Sequence, residues 1–151
     1  MRTKLLAIAV AAAALGGASL QALAQAKPDV MVAQRQAAMK LQGKYLGPIG
    51  AMLKGAVPYN VDIVARNATF LENLARMPWD GFDPSTQGEK SKTKPEAYKE
   101  WDKFKAAADT LEAETSKLGA AARAKDEAGV RATFGGVAKA CGACHDAYRE
   151  K

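Results

Sequence analysis

The sequence predicts an all-α fold, an antiparallel up-and-down four-helix bundle, on three observations. No stretch shows the apolar/polar alternation of a strand. Proline, glycine and turn residues divide the chain after about residue 27 into four helix-length blocks. The third block carries a stripe at Trp101, Phe104, Ala108, Leu111, Thr115 and Leu118, in steps of three, four, three, four and three. That is the spacing of a helix in an antiparallel bundle. There is no internal repeat.

The first block runs from about Pro28 to Lys54. Pro28 suits a first helical position, and Asp29 suits the positive end of the dipole. Met31, Val32, Met39, Leu46, Ile49, Met52 and Leu53 supply its apolar side, and Gly47-Pro48 is expected to kink the block or end it early. After a turn at Gly55 to Tyr59, Asn60 caps a second block, about Val61 to Met77. Its buried side is expected at Ile63, Val64, Phe70, Leu71 and Leu74. Pro78 to Lys94 is the longest irregular stretch, with Trp79 and Phe82 as its large apolar groups. These two rings either cap the bundle core or lie along a bound group.

The third block spans Pro95 to about Ala124, and its stripe serves as core and can also wall a cofactor site. The fourth opens at Lys125 or Asp126 and ends near Arg149. Val130, Phe134, Val137, Cys141, Cys144, His145 and Tyr148 share one helical face. Cys141 and Cys144 are three apart and Cys141 and His145 four apart, so all three are neighbours on that face.

Those residues form Cys141-Gly142-Ala143-Cys144-His145, and they use every cysteine and histidine of the chain. C-x-x-C-H is the attachment sequence of a c-type haem. Two thiols can add to two vinyl groups, and the adjacent imidazole can bind the iron. A structural zinc site needs about four ligands, and only three nearly contiguous candidates exist. A thioredoxin-like pair belongs near the front of a βαβ domain, whereas this motif lies at the end of a strandless chain. A local disulfide, or two inert thiols beside a surface histidine, is the plainest alternative.

The N-terminus points to export. Met1-Arg2-Thr3-Lys4 precedes an apolar run from Leu5 to Leu15, then Gly16, Gly17 and Ser19. Residues 1–24 have the layout of a secretory signal peptide, with cleavage after Ala24 or Ala26, leaving 25–151 as the bundle. The apolar run is short for a membrane span, which needs about 20 apolar residues. Cleavage removes Arg2 and Lys4 and takes the formal charge from +6 to +4. No long basic run interleaved with aromatics supports nucleic-acid binding. The surplus aids solubility or favours an acidic partner.

The chain resembles the cytochromes c′, the class II c-type cytochromes, over its whole mature length. The resemblance is carried by Ala140-Cys141-Gly142-Ala143-Cys144-His145-Asp146-Ala147-Tyr148-Arg149, by Arg35-Gln36-Ala37-Ala38-Met39 and by Pro78-Trp79-Asp80-Gly81-Phe82. It implies one haem c, thioethers at Cys141 and Cys144, and His145 as the axial iron ligand. It implies that Arg35 and Gln36 hydrogen-bond the haem propionates, where a guanidinium matches a carboxylate. Arg35 read by itself is equally a solvated helix charge. By the same resemblance Met39 lies over the distal face, Trp79 and Phe82 pack near the haem, and Arg149 stands beside the proximal side. The Lys-rich loop before Pro95 is longer than in relatives, and no haem contact is assigned to it.

The resemblance also implies an exported, periplasmic protein, often a homodimer formed through the first two helices. Two functions follow. With Met39 as apolar packing over a vacant position, the iron is five-coordinate and takes NO or CO. Such a cavity, with no distal hydrogen-bond donor, would retain dioxygen poorly. With Met39 as sixth ligand, the protein is a low-spin electron carrier serving unidentified redox proteins. A peroxidase wants a distal acid–base group, and no spare histidine exists.

Overall fold

The computed structural model describes residues 26–151. The predicted signal segment, 1–24, lies outside them.

Helix α1, Pro28–Leu53, starts as expected, with Pro28 in its first turn and Asp29 against the dipole. Gly47-Pro48 does not end it: the helix continues through Pro48 to Leu53. A proline forfeits one N–H bond, and burial of Ile49, Gly50 and Met52 holds the last turn in place. Gly50 sits on the ring of Phe134, where a Cβ would come within 2.9 Å of Cζ. Gly55 then takes a φ of +73°, which a side chain would disfavour, and the chain reverses.

Helix α2, Val61–Leu74, begins at Asn60, whose Oδ1 accepts from the N–H groups of Asp62 and Ile63 at 3.1 and 3.0 Å. Asn60→Ala is expected to cost about 1 kcal/mol in a denaturant titration, because two helix N–H groups lose their acceptor. The helix stops at Leu74, short of the expected Met77. Val64, Ala68 and Leu71 form its buried stripe. Phe70, expected inside, is 42% exposed and instead lies 5.0 Å from the Tyr45 ring. It stands one residue before Leu71, about 100° round the helix from the core face.

The 78–94 stretch is wound into two short 3-10 turns, Trp79–Phe82 and Pro84–Thr86. The third block, expected as one helix, is divided. A single turn, α3 (Glu96–Lys99), precedes α4 (Trp101–Arg123), with a break at Glu100, φ −108° and ψ 46°. Phe104, Ala108, Leu111, Thr115 and Leu118 are buried as the stripe predicts. Trp101 is 43% exposed, because it lies in the turn where α4 enters the bundle and stacks on Phe104 from outside. Asp126 caps α5, Glu127–Tyr148, through the N–H of Gly129.

Successive long helices pack on one another, α1 on α2, α2 on α4 and α4 on α5, which is the up-and-down bundle. The main core joins Ile49, Val64, Leu71, Leu118, Val130 and Val137. A second cluster of Phe82, Ala97, Phe104 and Tyr148 closes the other end.

Glu72 ties α2 to α4, accepting from Arg123 Nη1 at 2.5 Å and Ser116 Oγ at 3.0 Å. Partial burial raises its pKa, but the bonds from Arg123 and Ser116 outweigh this and leave it below the ordinary 4.5. A carboxylate with a depressed folded pKa stabilises above its unfolded value and loses that contribution as pH falls through the folded one. The wild type is therefore expected to lose stability below about pH 4.5, while Glu72→Gln is less stable at neutral pH and has a flatter acid limb. Thermal melts between pH 3 and 7 measure this, and identical acid limbs would contradict it.

Candidate haem site

Helices α1 and α5 meet at Gly50 and Phe134 and stand apart toward the other end of the bundle. The space between them is a cavity of about 520 Å³, in the range of small-molecule and cofactor sites. All nine residues singled out in the sequence line it: Arg35, Gln36 and Met39 from α1, Trp79 and Phe82 from the loop, Cys141, Cys144 and His145 from α5, and Arg149 just beyond.

The α5 wall follows from helical spacing. Cys141 and Cys144 are half-buried and free, and burial raises the pKa of both thiols. Cys141 packs against the main core and Cys144 against the second cluster. His145 keeps an exposed edge. The surrounding helix and cavity wall still lower its pKa below 6.5, Arg149 adding to the effect and Asp146 opposing it. That favours the neutral imidazole, the form that ligates a metal. Among the described residues no three His, Cys, Asp or Glu side chains converge to hold a metal ion directly. The motif suits attachment at separate points along the helix, not chelation of one ion.

Arg35 on the α1 wall is 3% exposed, so it is not the solvated charge that its position in the sequence also allowed. Nη1 donates to Gly81 O, to Thr86 Oγ1 at 2.9 Å and to Tyr98 Oη at 3.2 Å. Nη2 donates to Ser91 Oγ and Thr93 Oγ1, both at 3.2 Å. The guanidinium also lies 4.3 Å from the Phe82 ring centroid. Each of these acceptors is neutral, and a buried cation without a counter-ion is costly. The wall therefore lacks an anion. Gly81 permits the close approach of loop and helix: a Cβ there would fall 2.9 Å from Arg35 Cβ and 3.0 Å from Met31 O. Gly81→Ala is expected to cost about 1–3 kcal/mol, read as a lower denaturation midpoint with unchanged slope.

Several lining residues were not singled out as site residues in the sequence. Phe104 and Leu111 belong to the stripe read as core that can also wall a cofactor site, and they are core and cavity wall together. Ser91, Lys92 and Thr93 reach the cavity because the loop end is clamped to the end of α5. Lys94 N–H donates to Tyr148 O at 2.9 Å, and Glu150 N–H to Lys92 O at 2.8 Å. No periodicity announces such a clamp. Gln42 had a signal, lying three residues after Met39 and seven after Arg35 on one helical face.

A haem fits what these walls offer. Two thiols on one helical face would suit its vinyl groups, the imidazole would suit its iron, and the buried cation that lacks an anion would suit its carboxylates. A four-helix bundle whose last helix presents C-x-x-C-H to such a cavity defines a c-type haem protein. The family model described as Cytochrome C' matches residues 30–149. Cytochrome c′ of Alcaligenes xylosoxydans xylosoxydans is 37% identical over 126 residues, covering 83% of this chain and 98% of that protein. The crystal structure of cytochrome c′ from Rubrivivax gelatinosus superposes with a TM-score of 0.79 at 34% identity, over 82% of this chain and 98% of that one. A nitric oxide complex of a cytochrome c′ variant from Alcaligenes xylosoxidans gives 0.78 at 37% identity, over 84% and 98%. The chain belongs to the cytochrome c′ family and binds haem c.

Proposed function

We propose that this protein is an exported, periplasmic haem c protein with an open sixth position, which binds NO and CO and takes part in electron transfer. When bound, the haem supplies an iron that exchanges single electrons and accepts a neutral diatomic on its free side. Cys141 and Cys144 would hold it through thioethers, and His145 would ligate its iron. Arg35 pairs with a propionate and, through its bonds to the 81–93 segment, keeps that loop closed over one edge of the cavity. Gln36, exposed at the rim, assists as a second donor. Trp79 and Phe82 exclude water from that edge, and Arg149 places a positive charge beside His145.

The observation that carries the open site is the position of Met39. Its side chain packs against the cluster of Phe82, Phe104 and Tyr148, as apolar filler does. The other described methionines, Met31, Met52 and Met77, do not line the cavity, and the chain has no second histidine. The nitric oxide complex of a relative supports gas binding here. No helix among the described residues is long and apolar enough to cross a membrane.

The visible spectrum of the ferrous protein before and after CO tests the reading. A broad high-spin spectrum that changes sharply with CO is expected. Sharp low-spin bands indifferent to CO would mean that Met39, or another side chain, holds the sixth position and the protein is purely an electron carrier. Peroxide turnover is expected to be no faster than that of free haem. A homodimer through α1 and α2 is part of the proposal. Leu41 and Phe70 are exposed apolar groups on those helices and suit such a contact. Sedimentation equilibrium at micromolar concentration measures it.

A further inference from the structure

Gln42 is the part of the cavity wall that the proposed function leaves unused. It is 5% exposed and stands on α1, on the wall facing the helix that carries His145. Its Nε2 donates to Leu74 O at 3.0 Å. A carbonyl can only accept, so this bond fixes which end of the amide is nitrogen. Oε1 is left without a partner among the described residues, and it is not sealed in protein. The one enclosed side-chain polar atom without a partner there is Trp79 Nε1. Oε1 is therefore open to solvent, and Gln42 is among the residues that line the cavity. Leu71, Phe104 and Leu111 also line the cavity and carry no side-chain donor.

The bond to Leu74 does not by itself account for the residue. Leu74 O already accepts from Met77 N–H at 3.2 Å, so that carbonyl stays satisfied without Gln42. An apolar side chain would fill the position with no polar atom left to solvate, whereas Oε1 needs a water or a ligand to complete its bonding.

We propose that Gln42 is a ligand-selecting residue: its Oε1 accepts a hydrogen bond from a water molecule or small ligand bearing an N–H or O–H that occupies the cavity between α1 and α5. The proposal rests on the open-site reading. A ligand with no hydrogen, such as CO, meets the lone pairs of Oε1 as negative potential instead of as a bond.

The test compares the haem-loaded wild type with Gln42→Leu. The ferric proteins are titrated with imidazole and with 1-methylimidazole, ligands of similar basicity of which only the first keeps a free N–H. The wild type is expected to prefer imidazole about fivefold more than the variant does, the worth of one ordinary hydrogen bond. The C–O stretch of the ferrous CO complexes is then recorded. With Oε1 gone, more electron density reaches the bound CO, so the stretch is expected to fall in Gln42→Leu. Both changes together support the proposal. An unchanged stretch overturns it, since the bulk of the methyl group would then explain any preference, and an unchanged preference overturns it equally. Failure of CO to bind the ferrous wild type would sink the open-site reading and this proposal with it. Binding with an unshifted stretch sinks only the assignment of Gln42.

Discussion

Changing both Cys141 and Cys144 to serine is expected to abolish covalent haem retention. In the wild type the haem should stay with the polypeptide through a denaturing gel and resist acid extraction. In the double variant all of it should be extractable, because the remaining links, His145 and the apolar walls, act only in the folded state. The thermodynamic consequence is as distinct as the chemical one. A covalently held group cannot leave on unfolding, so added haem should not change the melting temperature of the wild type. The double variant should gain stability with free haem at about 1.4 kcal/mol per tenfold excess over its dissociation constant. Each single variant should keep one bond. Haem that stayed with the double variant on a denaturing gel would contradict the assignment of these thiols.

Arg35→Leu is expected to be the most damaging single change to the site. One side chain makes five hydrogen bonds that join α1 to Gly81, Thr86, Ser91, Thr93 and Tyr98. Removing it leaves Gly81 O and Thr86 Oγ1 with fewer partners in a buried setting, a loss of about 3 kcal/mol, or on the order of 10 °C in melting temperature. Faster amide exchange across 78–94 should accompany it. Arg35→Lys should recover less than half, since an ammonium cannot span the acceptors that the guanidinium fork reaches. The loss should be larger in the haem-loaded protein than in the haem-free one, because a propionate partner is lost as well. Equal losses in the two forms would reduce Arg35 to a loop anchor.

Where the sequence succeeded, short-range physics was enough. The C-x-x-C-H spacing on a 3.6-residue period places two sulfurs and an imidazole on one face whatever surrounds them. Asn60 was legible as a cap because a cap is satisfied within three residues. The stripe from Phe104 to Leu118 is buried because its period matches that of a bundle helix.

Where the sequence fell short, a distant partner decided. Pro48 remains inside α1 because Ile49 and Gly50 are held by packing that reaches Phe134. Trp101 is the local exception: it lies outside because Glu100 breaks the third block just before it. By itself, then, the sequence determined the four long helices, the haem-attachment motif and the residue types near it, because each depends on neighbours a few positions away. Only the tertiary structure decided that Arg35 is buried against five neutral acceptors, that the Ser91–Thr93 loop closes on the end of α5, and that Gln42 keeps an unspent carbonyl oxygen on the cavity wall. Those three facts come from groups brought together across 32 to 63 positions of chain, and local periodicity carries no record of such distances.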